Sequence, residues 1–132
     1  MAASAASDSL PSAEDSQVPS YKTISGYKAS KKSLIELRAG DIVTTGEEYE
    51  DNPNWIGWIK CIHPITGKAG WVPKQILRIH GDQGKALCDY SAKELTIKKG
   101  AIVEVLKSMN GWSWCRTEPG EEGWMPNEVV GI

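Results

Sequence analysis

Phenylalanine is absent from this chain of 132 residues, histidine occurs twice and cysteine three times. Each scarcity excludes something. Cys61, Cys88 and Cys115 are widely spaced and supply neither a disulfide framework nor a CxxC metal pair. His63 and His80 stand apart, with no cysteine or carboxylate at ligand spacing, so no metal and no other cofactor is expected. GxSxG, a phosphate-binding glycine loop and HExxH are all missing, and nothing recommends an enzyme. No apolar run approaches the ~18 residues of a spanning helix, so no membrane segment is expected. The charge is nearly balanced, 15 basic against 17 acidic residues for a net −2, which does not fit a strong non-specific nucleic-acid binder. What the chain does have is six Trp and four Tyr. That inventory favours binding over chemistry.

Residues 1–20 read as a disordered tail. They are rich in Ala and Ser, carry Asp8, Glu14 and Asp15 without a compensating cation, and offer too little apolar surface to offset ordering entropy. A secretory signal needs a positive start and an apolar stretch, and a mitochondrial presequence needs Arg; the tail has neither. A cytoplasmic location is expected, and three unpaired thiols agree with a reducing compartment.

The remainder is one pattern written twice. Leu37-Arg38-Ala39-Gly40-Asp41-Ile42-Val43 corresponds to Ile97-Lys98-Lys99-Gly100-Ala101-Ile102-Val103. Gly57-Trp58-Ile59-Lys60-Cys61 recurs as Gly111-Trp112-Ser113-Trp114-Cys115, and Gly70-Trp71-Val72-Pro73 as Gly123-Trp124-Met125-Pro126. Tyr27-Lys28-Ala29 matches Tyr90-Ser91-Ala92. Four anchors in one order define two modules, 21–79 and 84–132. Each reads as short strands punctuated by glycine turns: Ile35-Glu36-Leu37 and Val103-Glu104-Val105 alternate, and Trp112-Ser113-Trp114-Cys115 places both indoles on one face. Short turns are expected at Pro73–Ile76 and Pro126–Val129. The fold class is all-β, two small antiparallel barrels in tandem behind the tail, too small to be very stable apart and therefore expected to pack together.

The second module resembles a Src-homology-3 (SH3) domain. Ala86-Leu87-Cys88-Asp89-Tyr90 is similar to the family's Ala-Leu-Tyr-Asp-Tyr opening. Glu94-Leu95-Thr96-Ile97 with Gly100 matches its Glu-Leu-Ser-Phe…Gly segment, and Gly123-Trp124-Met125-Pro126 its closing motif. The first module is a looser copy, and the pair is similar to small bacterial proteins with two variant SH3-like modules. The resemblance implies a groove for extended proline-rich peptides, whose preformed helix lies between flat rings. Carried over by position, the ligand-binding residues are Tyr90, Trp112 and Pro126 in one module and Tyr27, Trp58 and Pro73 in the other, with Trp114 extending the platform of Trp112. An indole N–H there can donate to a ligand carbonyl.

Departures from the family accompany the match. The first tyrosine of the opening is Cys88 in one module and Ser25 in the other. The terminal Asn-Tyr pair is replaced by Gln75-Ile76 and Glu128-Val129, and the usually acidic loop after the opening motif is cut to Lys93 between Ala92 and Glu94. In the first module that loop is basic, Ser30-Lys31-Lys32-Ser33. Glu47-Glu48-Tyr49-Glu50-Asp51 offers a substitute acidic patch for a basic peptide, or a solvated turn. Cys61 and Cys115 read as inert core thiols, and Cys88 faces the expected groove.

The function expected is non-enzymatic: binding of a peptide or protein partner, proline-rich or basic, as an adaptor using one or both grooves. No membrane, nucleic-acid or small-molecule substrate partner is expected. The alternative is a structural or assembly protein whose aromatic patches are covered by the other module or by a second subunit.

Overall fold

The alternation read in the sequence is carried out strand by strand in the computed structural model, which describes residues 18–29 and 34–132. The expected tail lies outside the described residues up to position 17. Its last residues do not: Ser20 begins strand β1 (Ser20–Lys22), and the carbonyl of Pro19 accepts from Val105 N–H at 2.9 Å. In β10 (Trp112–Thr117) Ser113 and Cys115 are fully buried while Trp112 and Trp114 lie half-buried on the other face. Buried Ser113 is satisfied by Ser108 Oγ at 2.7 Å and Asn127 Oδ1 at 2.6 Å. The two turns expected after the closing prolines are a 3-10 turn at Lys74–Ile76 and a short helix α1 (Asn127–Val130).

The hairpin between β9 (Ile102–Met109) and β10 has a two-residue loop, Asn110-Gly111, with φ of +54° and +86°. Those angles are the geometry an Asn-Gly loop favours, because its twist matches that of the flanking strands.

Among the described residues the strands form three sheets, all paired antiparallel. The four-stranded sheet runs β1, β9, β10 and β11 (Glu122–Pro126). The five-stranded sheet has the order β5 (Ala69–Pro73), β4 (Trp58–Ile62), β3 (Ile42–Glu48), β7 (Gln83–Ala86), β6 (Leu77–His80). The third pairs β2 (Glu36–Leu37) with β8 (Tyr90–Ser91). Two cores result, one around Ile35, Val43, Cys61 and Val72, the other around Leu95, Val103, Cys115 and Met125.

This division in space is not the division in sequence. β1, from the first repeat, pairs with β9 of the second, and Tyr27 bridges Ile97. Conversely β7 and β8, the opening of the second repeat, pair with β3 and β2 of the first. The leading strands are exchanged. One lobe consists of residues 34–92, the other of 18–29 with 94–132, whereas the modules expected from the sequence run 21–79 and 84–132.

The length of one loop explains the crossing. In the first lobe Tyr90 faces Leu37, Ser91 faces Glu36, and Ala92 N–H donates to Ile35 at 3.0 Å. The repeat makes Leu95, Thr96 and Ile97 the equivalents of Ile35, Glu36 and Leu37. Were the second repeat to pair with itself, Ala92 would face Leu95 with only Lys93-Glu94 to turn the chain. A two-residue hairpin needs positive φ, which favours Gly or Asn, and neither residue is present. The chain crosses instead, and the strand whose place it takes crosses back.

Candidate functional site: an aromatic cleft between the lobes

Equivalent glycines open β4 and β10. Gly57 and Gly111 adopt φ of +107° and +86° and are pressed against the opposite lobe. A Cβ on Gly57 would stand 2.7 Å from the Asn110 amide, and one on Gly111 would run into the main-chain oxygen of Asn54. Only glycine fits at either point. The two turns therefore meet, and the tryptophans that follow them face each other across the seam.

Asn110 fastens this contact. Its Nδ2 donates to Gly57 O and to Gln75 Oε1, each at 3.0 Å, and its Oδ1 accepts from Gln75 Nε2 at 2.8 Å. Its main-chain carbonyl accepts the Trp58 indole N–H at 2.9 Å, leaving Trp58 only 6% exposed. Trp55 Nε1 donates to Glu128 Oε1 at 3.3 Å, and Trp124 Nε1 to Ser91 O at 2.9 Å. Gln75 and Glu128, which stand where the sequence lacks the expected Asn-Tyr pairs, are thus committed to the opposite lobe.

Four ring pairs cross the seam: Trp55–Trp112 at 5.1 Å, Trp58–Trp112 at 6.4 Å, Trp58–Trp124 at 5.6 Å and Tyr90–Trp124 at 6.2 Å. At roughly 0.5–1.5 kcal/mol each beyond area burial, such contacts amount to several kcal/mol holding the lobes together.

Between the lobes these rings enclose a cleft of about 210 Å³, lined among the described residues by eight aromatic side chains, Leu34, Ala92 and a single carboxylate, Glu94. Of the residues singled out in the sequence, Tyr27, Trp58, Tyr90 and Trp112 all line it, two from each expected groove. Tyr90 is 9% exposed, with its hydroxyl donating to Trp71 O at 2.8 Å. Tyr27 and Trp112 are half-buried and meet edge-to-face at 5.8 Å and 85°. Pro73 and Pro126 are buried within their strands, opposite Trp58 and Trp112, and line neither this cleft nor the next.

Trp114 lies elsewhere. Its N–H donates to Glu122 Oε1 at 2.8 Å, and it lines a wider, polar cleft of about 610 Å³ with Arg38, Asp41, His63 and Lys107. Trp55, Trp71, Trp124 and Glu94 line the aromatic cleft without having been assigned to a groove. Trp55 has no repeat counterpart, and it meets Trp112 where the two lobes pack together.

Tyr27 Oη donates to Glu94 Oε1 at 2.8 Å. Burial, reinforced by that carboxylate, pushes the phenol well above its ordinary range, so it remains a neutral donor. Burial does the same to Tyr90. Tyr49 lines the cleft just after β3; of the segment expected to be an acidic turn, Glu47 and Glu48 instead end that strand, they and Glu50 and Asp51 are exposed, and Glu48 pairs with Lys74 at 3.0 Å. In the basic loop, residues 30–33 lie outside the described residues. Cys61 and Cys115 are buried, their thiols pushed up to about 11 by burial; Cys88 is exposed and lines neither cleft.

The sequence model of the variant SH3 domain matches the chain twice, over residues 20–80 and 84–132. The chain belongs to the variant SH3 domain family. SH3 domains are non-enzymatic protein-interaction modules, and the all-β fold of both lobes fits that family. The chain is also 28% identical over 125 residues to SH3 and PX domain-containing protein 2B of Homo sapiens, and equally to that of Mus musculus. Each alignment covers 80% of this chain and 13% of the relative, so the chain spans only a small part of their length. No solved structure matches it. No described helix is long and apolar enough to cross a membrane.

Proposed function

We propose that this SH3 protein is a non-enzymatic interaction module that holds one peptide segment of a partner protein in the aromatic cleft between its lobes. The observation that carries the reading is the unequal state of two equivalent tryptophans. The Trp58 N–H is engaged by Asn110 and its ring is covered, while Trp112 stays half-exposed on the cleft and its N–H has no acceptor among the described residues. Trp112 is thus available to a ligand carbonyl, with Tyr27, Tyr49 and Trp55 as surrounding surface. Tyr90, Trp58 and Trp124 are floor rather than contact surface. Their burial between lobes accords with the assembly reading for those three rings, and the half-exposed rings accord with binding.

Selecting peptides from a displayed random library against the full chain tests this. The selected peptides lose binding to Trp112→Ala and to Trp55→Ala, residues from different repeats, while the folded spectrum remains. If Trp112→Ala unfolds, Trp112→Phe, which keeps an aromatic ring, though a smaller one, and removes the N–H, weakens binding severalfold. Peptides indifferent to Trp112 and Trp55 would contradict the reading.

A further inference from the structure

The cleft differs in form from a row of parallel ridges. Trp58 is covered, and Pro73 and Pro126 are buried in their strands. What remains is concave, with walls set at steep angles: Tyr27 against Trp112 at 85°, Tyr49 against Trp71 at 89°, Trp55 against Trp112 at 60°. Its volume of about 210 Å³ is below the ~300–1,000 Å³ of sites that enclose a whole small ligand, and suits one side chain entering end-on.

Charge and hydrogen bonding select the side chain. Among the described residues Glu94 is the one carboxylate in an otherwise aromatic and aliphatic lining, and Glu50 and Asp51, exposed, follow Tyr49 in the chain. The field favours a cation. The lining nevertheless offers few acceptors. Both tyrosine hydroxyls with mapped partners are already donating, Tyr27 to Glu94 and Tyr90 to Trp71 O. An unmodified lysine brings three N–H donors and a tightly held hydration shell, and an arginine brings five donors; most would be left unsatisfied there. Methylation removes the donors and keeps the charge, and an alkylated ammonium is the cation that aromatic rings bind best. Two rings of the cleft already hold ammonium groups of the chain itself: Lys60 Nζ lies 5.6 Å from the Trp71 ring centre and Lys107 Nζ 5.9 Å from that of Trp124.

We propose that the cleft is a receptor for the N-methylated side chain of a lysine in the bound peptide, with the methylammonium head caged by Tyr27, Tyr49, Trp55 and Trp112 and neutralised by Glu94. The inference rests on the cleft being the peptide site and adds which residue enters it.

The test titrates the full chain with Nα-acetyl-trimethyllysine N-methylamide, with its unmethylated counterpart, and with the neutral isostere carrying carbon in place of the ammonium nitrogen. Binding is read by tryptophan fluorescence and by the proton signal of the N-methyl groups. The trimethylated probe binds about tenfold more tightly than either other probe, and its methyl signal moves upfield from the ring currents. Glu94→Gln weakens it severalfold and leaves the isostere unchanged. Equal binding of the isostere overturns the proposal, because the cleft is then merely apolar. Preference for unmethylated lysine overturns it in favour of an ordinary ion pair. Free choline binding as tightly as the lysine probe overturns the peptide as source. If no probe binds while display-selected peptides still require Trp112, this inference fails and the peptide site stands; if those peptides ignore Trp112, both fail.

Discussion

The indole N–H of Trp58 donates to the main-chain carbonyl of Asn110, 2.9 Å away across the seam, and this one bond distinguishes two residues that the repeat makes equivalent. Trp58 and Trp112 follow equivalent glycines, begin equivalent strands and face equivalent prolines. One is covered by the other lobe, and its counterpart is left at the edge of a cleft that both lobes build. Duplication of the sequence does not duplicate the surroundings of its tryptophans.

Asn110 is therefore expected to matter for stability beyond its place in a turn. Asn110→Gly keeps the positive φ and deletes the side-chain bonds to Gly57 and Gln75; it should cost about 1 kcal/mol or slightly more. Asn110→Ala adds a left-handed backbone penalty of about 1 kcal/mol. Urea unfolding ranks wild type above Asn110→Gly above Asn110→Ala. Equal stability of wild type and Asn110→Gly would show that the fastening contributes nothing.

The chain crossing predicts an asymmetry between isolated repeats. Residues 83–132 alone lack β1 and cannot close on themselves through Lys93-Glu94, so they should show no cooperative thermal transition. Inserting Gly-Ser-Gly-Ser after Lys93 supplies the missing turn and restores one. A cooperative melt from the uninserted fragment, followed by circular dichroism, refutes the account of the exchange.

Asp41 ties the start of β3 to the turn after β4. Its Oδ2 accepts from Arg38 N–H at 3.0 Å and lies 3.3 Å from His63 Nε2. The Arg38 amide first, then His63, hold its carboxyl below the ordinary 3.8. A depressed carboxyl contributes stability that is present above its unfolded value and lost as pH falls through the folded one. The urea midpoint of Asp41→Asn should fall below wild type at pH 6, and the gap should close on approach to pH 3. A constant gap would mean that the charge is not involved.

Thiol chemistry gives a further check. Cys61 and Cys115 are fully buried and Cys88 is exposed. In native protein an aromatic disulfide reagent should modify one thiol rapidly, and all three only after unfolding. Rapid modification of a second thiol would show that a core opens readily.

The duplicated strands were legible because their signals are local. Alternation placed Ser113 and Cys115 inward, glycine marked the turns, and the two post-proline turns appear where they were expected. The partner of each leading strand was not legible, since the same apolar pattern in Tyr27 and Tyr90 fits either lobe. The short Ala92-Lys93-Glu94 connection was visible, but its consequence emerges only from the register of β2 with β8. Gln75 and Glu128 read as losses from a groove because their hydrogen-bond partners, Asn110 and Trp55, lie in the other repeat. A pattern repeated along a chain says nothing about which copy will face which.

The most direct measurement is the stoichiometry of binding. In isothermal titration of the full chain with a display-selected peptide, one peptide should bind per chain, and Trp55→Ala and Trp112→Ala should each remove that single event. Two peptides per chain, or one site of undiminished affinity surviving in Trp112→Ala, would contradict a shared cleft and restore two separate grooves.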